Sequence, residues 1–540
     1  MSLVIRNGTV YDPANGIDGE VKDIHIDKGK IVEKAGGEEI DASGLIVFPG
    51  GVDIHTHIAG SKVNLGRLFR PEDHRKDRFV KSTVARSGVG YSVPTTFVTG
   101  YRYARMGYTT VMEAASPPLT ARHTHEELND TPILDKAAYT LMGNNHFIMK
   151  YIKAGEDEKL AKYVAWLLEA AKGYTVKIVN PGGVENWKWG KNVESIDDTV
   201  DNYDVTPREI LTGLGKVNDE LGLPHSIHVH ANNLGAPGNF ETTAETIRCV
   251  KNRLHMTHLQ FNAYAGDDWG SFASGVPDLA KIINKRDNVT CDMGQVVFGD
   301  TTTMTADGPW QHHLYELTGN KWFNADVEME TGAGVVPYFF HRNNPVNAVQ
   351  WAIGLEIALM IKDPWKVCLS TDHPNGGPFY MYPKIIAWLM SKKARDKTAA
   401  TVNKAIAKKT SLPALEREYS LYEIAMITRA STAKALGLGN KGHLGVGADA
   451  DVAIYDFDED HIQRSFTRTR YTIKDGAIVV KDGTVVSSPM GRTYWVDANG
   501  ELTDEVKEEF PKFYTVSLDN YPVQKDYLPN EEVICTNQGG

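Results

Sequence analysis

The sequence predicts an α/β protein in which a (β/α)8 barrel carries a small β-sandwich built from both ends of the chain. Two observations predict this fold class. Eight short apolar segments alternate with helix-forming stretches between residues 51 and 435, and the two ends of the chain share one strand-and-turn pattern. The 540 residues are enough for about three to four domain-sized units.

The two ends predict the β-sandwich. The first fifty residues contain the strand-like segments LVIRNGTVYD, DIHIDKGKIVEK and LIVFPGG. The pattern returns in ADADVAIYD and YTIKDGAIVVKDGTVVSS, where Asp475-Gly476 and Asp482-Gly483 have the composition of hairpin turns. We therefore expect residues 1–50 and 436–497 to form one composite module. We expect residues 498–540, which begin with an acidic segment, to be an extension wrapped on a surface.

Eight strands are predicted for the barrel: GVDIHTH, GYTTVMEAA, AYTLMGNN, GYTVKIVN, PHSIHVHA, LHMTHLQF, VTCDMGQ and VCLSTD. Each is followed by enough chain to cross back to the next parallel strand. A doubly wound open sheet would give a similar pattern and stays an alternative. Residues 299–344 are too many for a simple connection, so we expect an insertion that acts as a lid or as a docking element for a partner.

Composition excludes several classes of function. The formal net charge of −11 argues against nucleic acid as the main partner. No apolar stretch reaches the ~18 residues that a membrane span needs, and the beginning of the chain does not resemble a secretory signal, so we expect a cytoplasmic protein. The four cysteines are scattered without metal-cluster spacing, so no redox centre is predicted.

Histidines at predicted strand ends indicate a metal site. His55 and His57 share one strand face about 6.6 Å apart, which suits two ligands of one cation. His230, His258 and Asp372 stand at the carboxyl ends of later strands, where side chains of a barrel converge. Seven other histidines are interpreted as packed, turn or loop residues: His123, His125, His228, His255, His312, His313 and His373.

Lys177 is unusual because its strand, GYTVKIVN, is otherwise almost wholly apolar. A buried, unpaired ammonium is costly, and burial lowers the pKa of a lysine. Two interpretations stay open. The amine reaches solvent at the strand end, or the neutral amine reacts with CO2 to give a carbamate that bridges two cations.

In this order, HTH, Lys177, His230, His258 and Asp372 resemble the amidohydrolase superfamily, and KGHLGVGADADVAIYD resembles the return of its chain to the small β-sandwich. The resemblance implies an amidohydrolase-type TIM barrel with two Zn2+ ions bridged by N6-carboxylysine at Lys177. It implies that His55, His57 and Asp372 hold one ion, that His230 and His258 hold the other, and that Asp372 transfers the catalytic proton.

A narrower resemblance covers essentially the whole chain. PGGVDIHTHIAGSKVN, KIVNPGG, LPHSIHVHANNLGAPGNFETT, TTTMTADGP and GRTYWVD resemble the A-subunit family of formylmethanofuran dehydrogenases and of methylotroph formyltransferase/hydrolase complexes. This implies reversible condensation of formate with the amine of methanofuran. It also implies partner subunits: a tungsten or molybdenum formate dehydrogenase-like subunit that reduces CO2, and iron–sulfur subunits. TDHPN departs from the family, which we expect to have a small polar residue in place of His373.

Two other functions stay open from the sequence. One is a cyclic-amide hydrolase of hydantoinase or dihydropyrimidinase type, which uses a similar metal constellation. The other is a scaffold subunit without catalysis, although the residues of all six ligand positions are present.

The segment from Lys62 to Arg86 is rich in basic residues although the chain is acidic. We expect Lys62, Arg67 and Arg70 to bind the glutamate-bearing tail of methanofuran through charge-assisted contacts that weaken in salt. The alternative is a solvated loop or an intersubunit contact.

Overall fold

The computed structural model describes residues 2–325 and 334–536. Eight parallel strands follow one another around a barrel, each paired with the next in chain order. The eighth and first strands meet where the His57 amide donates to the carbonyl oxygen of His373 at 2.8 Å. The predicted barrel is therefore confirmed in place of the open sheet. Its strands are Gly51–Thr56, Tyr108–Ser116, Asp135–Leu141, Val176–Val179, Ile227–His230, Leu254–Met256, Val289–Asp292 and Val367–Cys368.

Helices connect the strands and cover the barrel. The helix Pro207–Glu220 shows why one begins where it does: the Thr206 hydroxyl accepts from the Glu209 amide at 3.2 Å, and the Glu209 carboxylate accepts from the Thr206 amide at 2.7 Å. The other longer helices around the barrel are Ser61–Phe69, Thr96–Arg105, Ala121–Asn129, His146–Ala154, Asp157–Ala171, Asn239–Cys249, Val276–Ile283, Pro345–Met360, Tyr382–Met390 and Lys392–Ala399. None of the helices in the described ranges is long and apolar enough to cross a membrane.

Both ends of the chain contribute to a second, nine-stranded mixed sheet, as predicted. Hydrogen bonding runs through it without a break, because Ile46–Pro49 pairs antiparallel with Val452–Tyr455. Ile5, Ile26 and Ile473 lie in one shared hydrophobic cluster. The other strands of this sheet are Ser2–Asp12, Ile17–Asp27, Lys30–Val32, Glu38–Asp41, Tyr471–Lys474, Ala477–Lys481 and Thr484–Val485.

A buried group of ions joins this sheet to the barrel. The Lys441 amine lies 2.5 Å from a carboxylate oxygen of Asp135 on the third barrel strand. It also lies 2.9 Å from Asp449 and 2.7 Å from Asp451, which precede the strand Val452–Tyr455. Lys441 is 4% exposed, so its charge is compensated by these carboxylates rather than by water.

The strand Thr493–Asp497 differs from the expectation that residues 436–497 belong to the small module. It pairs with the barrel sheet at Thr493 and Lys136, and with Glu531–Cys535 on its other side. Tyr494 and Trp495 are both buried, so both strand faces are covered, as in a barrel sheet. The extension also contains the helix Asp504–Phe513.

The insertion forms its own small element after the seventh barrel strand. Gly299–Thr305 pairs antiparallel with Gly334–Phe340, which also pairs with Phe323–Asn324. The helix Gly308–Thr318 lies between the first two strand segments along the chain. The part of this insertion from 326 to 333 is outside the described residues.

Candidate metal centre

The structure brings five of the six predicted ligand side chains together at the barrel, and it places Lys177 beside His228, whose ring stacks on that of His55. Nε2 of His55 lies 2.8 Å from Oδ1 of Asp372, and Nε2 of His57 lies 3.2 Å from the same oxygen. The ring centroid of His258 is 5.2 Å from that of His55 and 4.8 Å from that of His230. All these side chains are buried, together with Lys177.

Local backbone conformation aims two of these side chains. His258 follows the strand Leu254–Met256 with a φ of 34°, and Asp372 follows Val367–Cys368 with a φ of 51°. Gly294 leaves room for the His258 turn, since a Cβ at this position would lie 2.6 Å from Cβ of His258. The left-handed conformation turns each side chain out of the regular alternation of its strand.

Lys177 is unusual among the described residues of the barrel strands. Its Nζ is buried and makes no hydrogen bond within the described part of the chain. Burial lowers the pKa of Lys177 to about 7, although Asp372 and Asp292 favour the charged form. A large share of this amine is therefore neutral near pH 7, which is the form that can react with CO2.

The donor set fits a metal ion. His55, His258 and Asp372 each place one ligand atom within 4.8 Å of the others, and Nδ1 of His258 is buried and has no hydrogen-bond partner in residues 2–325 and 334–536. Imidazole nitrogen and carboxylate oxygen are ligands that zinc accepts. The unpartnered atoms of Lys177 and His258 are thus explained if cations bind between these residues.

Glu113, on the second barrel strand, holds His57 and was missed from the sequence. Its Oε1 lies 3.2 Å from Nδ1 of His57, and its Oε2 accepts from the amides of Ile58 and Ala59 at 2.7 and 2.9 Å. Burial would raise the pKa of Glu113, but Lys62 and His57 outweigh it and lower the pKa to about 2. Glu113 is therefore an anion, and it lies directly behind the predicted metal ligand His57.

Asp307 makes the corresponding contact with His230 and was also missed. Its Oδ2 lies 3.0 Å from Nε2 of His230. Its Oδ1 accepts from Asn180 at 3.0 Å and from the Trp310 amide at 3.1 Å, which caps the insertion helix. The Asp-Gly-Pro string signals this cap in the sequence, but not its contact with a distant strand.

The seven histidines interpreted as packed, turn or loop residues lie in three kinds of place. His228 and His255 are buried in the barrel, and His255 contacts Asp292 at 3.2 Å. His373 is buried and accepts from the Phe379 amide at 3.2 Å. The expectation of loop positions is wrong for the remaining four, which are helical: His123, His125, His312 and His313.

The three basic side chains expected to bind a coenzyme tail have internal partners. Lys62 is buried and donates to Glu113 at 2.7 Å. Arg67 donates to Glu127 at 2.7 Å, and Arg70 donates to Thr302 in the insertion at 2.9 Å. To bind a coenzyme tail, these side chains would have to exchange such contacts, and their role stays a prediction.

A cavity of about 270 Å3 opens beside Asp372 and Asn375. The insertion supplies much of its lining, including Trp310, Tyr338 and Phe340. The insertion therefore lies at the mouth of the centre, where it contributes an aromatic wall.

Comparisons with known proteins agree with this architecture. Residues 38–480 match the model of the amidohydrolase family. The chain is 51% identical to protein FwdA of Methanocaldococcus jannaschii, with 99% of each chain covered. It is 37% identical to the A component of the formyltransferase/hydrolase complex Fhc of Methylorubrum extorquens, covering 98% of this chain and 99% of the relative.

A solved structure shows the same relationship to the A component of Fhc. The crystal structure of the FhcABCD complex of Methylorubrum extorquens with methylofuran matches with a TM-score of 0.92 and 36% identity, over 99% of this chain and 100% of that chain. By this full-length similarity and the match to the family model, the chain belongs to the amidohydrolase family, in the group that contains FwdA and the A component of Fhc.

Proposed function

We propose that this chain is the A subunit of a formylmethanofuran dehydrogenase complex, and that it reversibly condenses formate with the primary amine of methanofuran. One observation carries the proposal: a buried, unpartnered Lys177 lies at a centre of histidines and Asp372, in a chain similar over its whole length to FwdA. An amide bond forms or breaks in this reaction, and no electron is transferred.

His55, His57 and Asp372 would hold one zinc ion, His230 and His258 would hold the other, and the carboxylated Lys177 would bridge them. When bound, the ions supply Lewis acidity that polarises the formyl carbonyl and makes a water molecule acidic. Glu113 and Asp307 support two of these ligands, because a carboxylate behind a histidine fixes the direction in which its ring donates electrons.

Asp372 is the proposed proton carrier. In hydrolysis it takes a proton from the attacking water and gives it to the departing amine, and in synthesis it does the reverse. Burial raises the pKa of Asp372, although His57 and Asn375 favour its anion. Asn375 donates to its Oδ2 at 2.9 Å and thereby orients the carboxylate.

The cavity supports an amine substrate with an aromatic end. Trp310, Tyr338 and Phe340 offer flat apolar surfaces, while Asp372 and Asn375 provide polar groups on the side of the centre. The insertion carries this wall and would exclude water, which favours synthesis over hydrolysis.

Electrons for CO2 reduction would come from other polypeptides. Cys249, Cys291, Cys368 and Cys535 are widely scattered along the sequence and lack the close spacing of iron–sulfur ligands. We therefore assign the redox chemistry to iron–sulfur subunits and to a tungsten or molybdenum formate dehydrogenase-like subunit.

The test compares two activities on the purified full chain. Hydrolysis of an N-formyl amine without opening of dihydrouracil supports the proposal, and the opposite pattern supports a cyclic-amide hydrolase. Absence of both activities in zinc-loaded chain supports a scaffold. Metal analysis with intact mass spectrometry should find two zinc ions per chain and a carbamate, and Lys177→Ala should empty at least one metal site.

A further inference from the structure

Three buried histidines form a hydrogen-bonded series behind the centre. Nδ1 of His225 lies 2.6 Å from the carbonyl oxygen of Ala435. Nε2 of His225 lies 3.0 Å from Nδ1 of His228, and Nε2 of His228 lies 2.8 Å from Nδ1 of His55. Each ring is at most 1% exposed, so water does not compete for these contacts.

The series has only one possible direction for neutral rings. A carbonyl oxygen accepts and never donates, so Nδ1 of His225 must carry the hydrogen. Its Nε2 is then an acceptor, which requires a hydrogen on Nδ1 of His228. By the same step, Nε2 of His228 accepts from Nδ1 of His55. Burial lowers the pKa of His225 well below its usual range, in agreement with a neutral ring.

The end of a helix makes the first acceptor available. Ala435 lies in the last turn of the helix Ser431–Leu436, where carbonyls lack partners within the helix. The Gly437 amide bonds the carbonyls of Ala433 and Lys434 instead. The Ala435 oxygen is therefore left to accept from His225.

We propose that His225 and His228 are positioning residues that hold His55 as its Nδ1–H tautomer and thereby direct its Nε2 lone pair into the centre. The role in metal binding rests on the proposed function, whereas the tautomers follow from the hydrogen bonds alone. The hydrogen bond made by one ring nitrogen of a histidine determines whether the other ring nitrogen carries a hydrogen or a free lone pair. The carbonyl oxygen of Ala435 thus determines, through His225 and His228, which ring nitrogen of His55 can bind a metal ion.

Two further contacts of His55 bear on this direction. Its Nε2 and Oδ1 of Asp372 face each other at 2.8 Å, and with Nε2 deprotonated both are acceptors. A cation, or a proton on Asp372, reconciles them. On the other side, the Thr257 hydroxyl also contacts Nδ1 of His55, and a hydroxyl can accept from it.

The first test reads the tautomers directly. The metal-free full chain is labelled with 15N-histidine, and long-range 1H–15N NMR correlations assign the hydrogen in His225, His228 and His55. We expect Nδ1–H in all three. An Nε2–H tautomer in any of them would overturn the inference, whatever the activity of the enzyme.

The second test uses zinc affinity, measured by competition with a chromophoric chelator. His225→Phe should weaken zinc binding about 10–100-fold. His225→Gln should recover most of this loss, since its amide can donate to Ala435 and accept from His228. His125→Phe is the control, because His125 is also buried and bonds a backbone carbonyl, that of Ala171, at 3.0 Å.

These outcomes separate the two proposals. Equal zinc affinity of folded His225→Phe and the unchanged chain would refute the positioning role. If His225→Phe does not fold, the positioning role is judged by the tautomers of the unchanged chain and by the zinc affinity of His225→Gln. Should the three Nδ1–H tautomers be found in a chain that does not hydrolyse N-formyl amines, the inference stands and the proposed function fails.

Discussion

Replacing Lys177 with Met should stabilise the metal-free protein while it empties at least one metal site. The pKa of this amine falls from 10.5 to about 7 on folding. The folded state therefore binds fewer protons than the unfolded state between these values, and the lysine opposes folding most strongly at pH 7 and below. Linkage converts the shift to about 4 kcal/mol at pH 7 and about 2 kcal/mol at pH 9.

The assay is urea unfolding in chelator and CO2-free buffer, with metal content measured on separate samples. We expect Lys177→Met to unfold at higher urea than the unchanged chain, with a difference that narrows as the pH rises towards 10.5. Lys136→Met is the matched control for metal content, since Lys136 is buried in a barrel strand but donates to the Thr131 carbonyl at 3.1 Å. An equal or lower urea midpoint for Lys177→Met at pH 7 would refute the reasoning.

Three further outcomes are expected. Asp307→Asn should weaken zinc binding about 10–100-fold in the chelator competition, because His230 loses its carboxylate partner; unchanged affinity would contradict this role. Lys441→Met should lower the free energy of unfolding by about 3–5 kcal/mol, since Asp135, Asp449 and Asp451 all lose one of their cations; a change below ~1 kcal/mol in urea melts would argue against it. Replacing Arg67 and Arg70 with Ala tests binding of the coenzyme tail, which predicts a higher Michaelis constant at nearly unchanged turnover; an unchanged constant contradicts that hypothesis.

The barrel and the converging side chains were predictable from the sequence because they follow from short-range rules. His55 and His57 share a strand face by the two-residue period, and parallel strands bring their carboxyl ends together. Lys177 stood out because a cation in an apolar strand needs an explanation. These signals require no knowledge of which strands are neighbours.

The residues behind the ligands depend on long-range contacts and escaped prediction. Glu113 lies in a strand that reads as apolar, and its partner Lys62 is separated from it by 51 residues. Asp307 reaches His230 only because the insertion packs on the barrel end. Thr493–Asp497 fell within the predicted small module, residues 436–497, and sequence pattern alone does not choose between two sheets.

The two-ended sheet has a consequence for synthesis of the protein. Strand Ile46–Pro49 leaves the ribosome long before its antiparallel partner Val452–Tyr455. About 400 residues separate the two strands, and translation proceeds at about 5–20 residues per second. The edge of Ile46–Pro49 therefore stays unpaired for about 20–80 s. An unpaired edge is a template for aggregation. Nascent chains therefore need either a chaperone or early barrel folding to protect these first residues until the last portion of the polypeptide emerges.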